Sequence, residues 1–139
     1  MGDDNEQRVE LSIPATVEWL ALARTTGAAI AARWSFTYDE IADLRLAIDE
    51  LCLTLVEGVP AERLELVYCL DEEALSVKGH AVGLAQDGDV VSNLPGIEPA
   101  LSSDLSARIL DALVDEHGSD GDDKSRRAWL RKRRTPQDA

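Results

Sequence analysis

Long apolar runs are missing from this 139-residue chain. Nothing approaches the roughly eighteen consecutive apolar residues that a membrane helix needs, so no spanning segment is expected. Cysteine is scarce: Cys52 and Cys69 both fall in apolar runs. They are too few for a disulfide framework or a zinc site, and Cys52 is expected in the core. Basic residues are scarce over most of the length, with seven against 26 acids in residues 1–123, and the whole chain carries a net charge of −13. So acidic a body repels nucleic-acid phosphates and favours partners with basic surfaces. The opening M-G-D-D-N-E-Q has no basic and then apolar layout, so a cytoplasmic location is expected.

What is present is patterned. R-V-E-L-S-I (8–13) alternates apolar and polar residues and predicts a strand that Pro14 ends. A helix is predicted from about Ala15 to Ala32, rich in small residues that let a neighbour approach closely. T-Y-D-E (37–40) is a capping box, flanked by Phe36 and Ile41 as a hydrophobic staple. The helix it opens places Leu44, Ala47, Ile48, Leu51, Cys52 and Leu55 on one face. Glu50, Thr54 and Glu57 share a neighbouring polar stripe, and Gly58-Val59-Pro60 supplies the stop. R-L-E-L-V-Y-C-L (63–70) and A-L-S-V-K-G (74–79) predict two strands joined by Asp71-Glu72-Glu73.

Residues 80–100 read as irregular. A third helix is expected from Ser102 or Ser103 to His117, burying Leu105, Ile109, Ala112 and Leu113. G-S-D-G-D-D then reads as a loop, and Arg126–Arg133 as a final strand. Lys124–Arg134 holds seven of the fourteen basic residues. That run predicts an edge strand whose charges prevent aggregation and complement the acidic body; the alternative is a nucleic-acid-binding strand. The element order predicts an α/β (α+β) domain over residues 8–134, a mixed, mostly antiparallel sheet with helices on one face. Residues 1–7 and 135–139 are expected to be disordered.

L-R-L-A-I-D-E-L-C (44–52) resembles the opening of the N-box in the anti-sigma factor serine kinases, the RsbW-like branch of the GHKL ATPases. The element order and A-L-V-D-E-H (112–117) extend the resemblance over nearly the whole domain. It implies a GHKL ATPase-like fold, ATP and magnesium as ligands, a homodimer, and two partners: an alternative sigma factor and an antagonist protein. It also implies that Glu50 is the base that polarises an attacking hydroxyl, with a magnesium ligand four residues on, where the two stack on one helical face.

That second position is Thr54, a poorer magnesium ligand than an amide carbonyl. The family's D-x-G-x-G box, whose Asp reads adenine, corresponds to G-H-A-V-G (79–83). Gly79 stands at the Asp position, Ala81 at the first glycine, and Gly83 alone remains. The lid segment L-S-S-D-L-S-A-R (101–108) has no glycine to wrap phosphates.

Three alterations in one direction predict phosphoryl transfer weakened or lost, with no cofactor and no metal site expected; the alternative is residual binding of ATP and magnesium without catalysis. Arg24, in L-A-R-T-T, matches by resemblance an arginine that contacts both partners; the plain alternative is a solvated Arg paired with an acid such as Glu18. His80 has no second ligand at useful spacing, and His117 is expected in a helix's last turn. Trp19, Trp34 and Trp129 are candidate interface anchors. The leading expectation is an anti-sigma factor that sequesters a sigma factor. The alternatives are an active serine kinase acting on the antagonist and the nucleic-acid binder.

Overall fold

A computed structural model describes residues 7–56, 61–84, 99–122 and 125–135. The elements are β1 (Gln7–Pro14), α1 (Leu20–Arg33), α2 (Tyr38–Val56), β2 (Ala61–Leu70), β3 (Ala74–Leu84), α3 (Pro99–Leu113), β4 (Glu116–Asp122) and β5 (Ser125–Arg133), with one 3₁₀ turn at Val17–Trp19 before α1. The strands form one sheet in the order β1-β2-β3-β5-β4. Every neighbouring pair is antiparallel, in keeping with the mostly antiparallel sheet expected.

Strand alternation sends alternate side chains to the two faces of the sheet. Leu64, Leu66, Tyr68 and Leu70 of β2, Leu75 and Val77 of β3, and Ala128 and Leu130 of β5 are buried on the helix side. They meet Leu44, Ala47, Ile48, Leu51, Cys52 and Leu55 of α2, the six positions that its periodicity selects. The entry to α2 is the expected capping box. Thr37 N donates to Glu40 Oε1 at 2.7 Å, and Glu40 N donates to Thr37 Oγ1 at 3.1 Å. Phe36 and Ile41 both lie at the core. The Gly58-Val59-Pro60 stop falls outside the described residues.

α1 packs through Leu20, Ala23, Gly27 and Ala31. A Cβ on Gly27 would fall on Ile48 Cδ1, so glycine is what sets the approach of α1 to α2. The buried Tyr68 hydroxyl donates to Ala23 O at 2.7 Å, tying α1 to the sheet beneath. α1 ends with Phe36 N donating to Ala31 O at 3.2 Å and Ser35 at φ 67°, a left-handed cap usually filled by glycine.

Four expectations are corrected. α3 ends at Leu113, not His117, and it is rotated: Ser106, Leu110 and Val114 just beyond it are buried, while Leu105 and Ala112 face solvent. Residues 116–122 form β4, where most of them were read as a loop. The basic strand β5 lies inside the sheet between β3 and β4, so β1 and β4 are the edges. Thr135, placed in the trailing tail, donates its amide to Glu40 Oε2 at 2.7 Å.

Candidate functional site

On α2, Glu50 and Thr54 sit one turn apart on the face turned toward α3. Ser106 of α3 donates a short hydrogen bond to Glu50 Oε2. Its hydroxyl is also 3.4 Å from Thr54 Oγ1. Thr54 Oγ1 donates back along its own helix to Glu50 O at 2.9 Å, a local bond that competes with any outward ligand role. Arg126 of β5 donates to Thr54 O at 3.1 Å, among the last-turn carbonyls that have no partner within the helix. The polar stripe foreseen on α2 therefore exists, but its groups are joined to α3 and β5. Glu57, the third member, lies outside the described residues.

Ser106 was not singled out within the lid segment. The signal available for it was its spacing from Leu110 and Val114, which repeat every four residues on the buried face.

Gly79 lies in the middle of β3 on the helix side of the sheet. A Cβ there would stand 2.5 Å from Leu55 Cδ1, 3.3 Å from Leu66 Cδ2 and 3.7 Å from Leu51 Cδ2. Leucines of α2 and β2 thus occupy the space into which a carboxylate at this position would project. Gly83 is at φ +71°, left-handed backbone that favours glycine, and it packs against Glu62. Ser102, Ser103 and Asp104 lie in the first part of α3, whose backbone alone is described.

Arg24 pairs with Asp49 of α2 rather than with Glu18, at 2.7 Å between Nη1 and Oδ1. Each side chain is about one-third exposed, 35% and 34%. Trp19, in the turn before α1, and Leu22 are exposed, but Leu22, two residues from Arg24, projects from a different side of the helix. Trp34 is half-buried and its Nε1 donates to Asp71 O at 3.0 Å. Cys52 is fully buried, and burial, reinforced by the Asp49 charge, pushes its thiol up to about 12. Cys52 and Cys69 are unbridged. His117 lies in β4, not in a helix, and contacts Asp111 Oδ1 at 2.6 Å. His80 faces away from all three helices, on the open side of the sheet, remote from Glu50.

The cations of β5 and the residues after it are largely committed within the molecule. Arg131 meets Asp71 at 3.3 Å, Arg133 meets Glu116 at 3.5 Å, and Lys132 Nζ donates to Leu113 O at 2.7 Å. Arg134 donates to Trp34 O and Glu72 O. A basic strand engaged in this way complements the acidic body, as expected, and leaves few charges for phosphates.

No protein-family model matches the chain. Two curated relatives are the serine-protein kinases RsbW of Bacillus cereus (strain B4264) and Bacillus thuringiensis subsp. konkukian (strain 97-27). Each is 28% identical over 120 residues, spanning 79% of this chain and 75% of the relative. No helix among the described residues is long and apolar enough to cross a membrane.

Proposed function

We propose that this chain, RsbW-like in sequence over most of its length, is an anti-sigma factor that sequesters an alternative sigma factor and no longer transfers phosphate. Its likeness to the serine-protein kinases RsbW supports an anti-sigma factor or serine kinase role. One observation carries the finer reading: the leucine packing at Gly79. In the resembling kinases this position bears the carboxylate that reads adenine. Here a side chain of any size collides with Leu55, so the residues present do not suit a nucleotide. The hydrogen bond from Ser106 to Glu50 points the same way, because a carboxylate already bound to a neighbouring hydroxyl is a poor general base.

Sequestration needs only a stable scaffold and an exposed surface. The α1 region supplies exposed groups on more than one side: the part-exposed Arg24–Asp49 pair, and the exposed Val17, Trp19 and Leu22. The acidic body suits a partner with a basic polymerase- or DNA-binding surface. On this reading an antagonist protein competes for the same α1 surface, and the working form is a homodimer in the cytoplasm.

The test pairs two measurements. Calorimetric titration with ATP and ADP plus magnesium is expected to show no saturable binding. Co-purification from the native cell is expected to recover a sigma factor, and Arg24→Glu to abolish that recovery without unfolding the protein. Micromolar ATP binding with phosphate transfer to an antagonist would establish the active kinase instead. Failure of every native sigma factor to bind would end the anti-sigma reading.

A further inference from the structure

The helix-free face of the sheet carries a second arrangement, unrelated to α2 and independent of the function proposed above. Register sets two adjacent rows across four strands. One runs Glu65, His80, Arg127, Asp120; the next runs Val67, Lys78, Trp129, Gly118. Between them lies an open cleft of about 300 Å³, at the lower limit of small-ligand sites.

Trp129, one of its lining residues, leans over Gly118 of β4. A Cβ at that position would lie 2.7 Å from Trp129 Nε1 and 2.9 Å from Cε2, so the indole lies over the glycine. Trp129 is nonetheless 40% exposed. A large ring packed on glycine and still this exposed offers a surface for stacking rather than acting as a core side chain.

The charges around the platform are distinctive for this molecule. Arg126, Arg131, Lys132, Arg133 and Arg134 each have a carboxylate or carbonyl partner. Lys78 and Arg127, both exposed at the cleft, make no hydrogen bond or ion pair among the described residues. In a chain of net charge −13, two cations left without a partner beside an exposed indole fit an anion that also has a ring. Same-face neighbours on adjacent strands stand about 5–8 Å apart, close enough for Lys78 and Arg127 to share one anionic group. Glu65 and Asp120 close the ends of the first row and repel further negative charge. That excludes polyphosphates and nucleic-acid backbones and leaves room for a single anionic group.

We propose that this face binds a small planar aromatic anion, its ring stacked on Trp129 and its carboxylate or phosphate held between Lys78 and Arg127. The probes are indole-3-acetate and phenyl phosphate, which separate a carboxylate ligand from a phosphate one, with inorganic phosphate as the ringless control. Binding is followed by calorimetry and by amide chemical shifts on the full chain.

At least one ring-bearing probe is expected to saturate at or below the order of 1 mM, with shifts confined to β3, β4 and β5. Lys78→Gln and Arg127→Gln should each weaken binding about tenfold, the loss of one charge-assisted hydrogen bond. Trp129→Phe should retain more affinity than Trp129→Ala. The proposal is overturned if neither probe saturates, if inorganic phosphate binds as well, if the two Gln variants bind normally, or if the shifts map to α2 around Glu50. Lys78 and Arg127 are exposed, so both variants should fold, and unchanged thermal midpoints check this.

Discussion

Restoring an aspartate at position 79 should damage the protein rather than revive nucleotide binding. The Cβ alone lands 2.5 Å from Leu55 Cδ1, with Leu66 and Leu51 close behind. Leu55, Leu51 and Leu66 are at most 1% exposed, so none can swing into solvent to make room. Overpacking of this kind costs about 1–3 kcal/mol. A carboxyl enclosed by leucines, with no donor facing it, adds about 1–3 kcal/mol on the scale set by protein variants. The sum of about 2–6 kcal/mol is a large part of the roughly 5–15 kcal/mol that stabilises an ordinary domain. Urea unfolding followed by far-ultraviolet circular dichroism measures it, and Gly79→Ala separates the steric part from the polar part. Calorimetry with ATP and magnesium runs in parallel. A Gly79→Asp protein with an unchanged midpoint and saturable ATP binding would refute the packing argument and the loss of nucleotide binding together.

Ser106→Ala removes the hydroxyl that bonds Glu50 and leaves a half-buried carboxylate short of a donor, which should cost about 1–3 kcal/mol in urea unfolding. Ser106→Thr, which keeps a donor, should lose less. Ser35 holds a left-handed cap at φ 67°, and Ser35→Gly should raise stability by about 0.5–1 kcal/mol, read as a higher thermal midpoint. Acid should weaken the fold through two carboxylates. Partial burial pushes Glu40 up, but hydrogen bonds from Thr135 and Thr37 outweigh it and hold its carboxyl below the ordinary 4.5. Burial likewise opposes, and amides of Glu73 and Ala74 with Arg131 overcome, to lower Asp71 below 3.8. Both pKa values are depressed in the folded state, so their contribution is complete above the ordinary values and is lost as pH falls through the lowered ones. Stability measured from pH 6 downward should fall less steeply below about pH 4.5 in Glu40→Gln/Asp71→Asn than in the parent.

The elements that the sequence makes legible are those whose signals are local. The cap, staple and apolar stripe of α2 lie within 20 residues and agree with one another, and the structure has the same six residues buried. β4 was invisible for the opposite reason. E-H-G-S-D-G-D has the composition of a loop, and it is a strand only because β5 offers it seven paired positions. The phase of α3 was missed because a serine looks like a surface residue or a cap. Its burial depends on Glu50, 56 residues away, which no local window contains. In the same way Gly79 reads in sequence as a missing carboxylate, whereas in the fold it is a place where three leucines close in. The Arg24 partner was sought on its own helix and lies on the next one.

The position of β5 has a consequence for how the protein comes into being. β3 and β4 are not neighbours, and the gap between them is filled by residues 125–133, later in the chain than any other strand. Until those residues have left the ribosome, β4 has no strand to pair with. The preceding segment, 26 acids against seven bases, meanwhile repels itself without its basic counterweight. Completion of this sheet beyond β1, β2 and β3 is therefore a late event in synthesis. A chain interrupted near residue 122 would be a highly charged, unclosed precursor rather than a smaller version of the same domain.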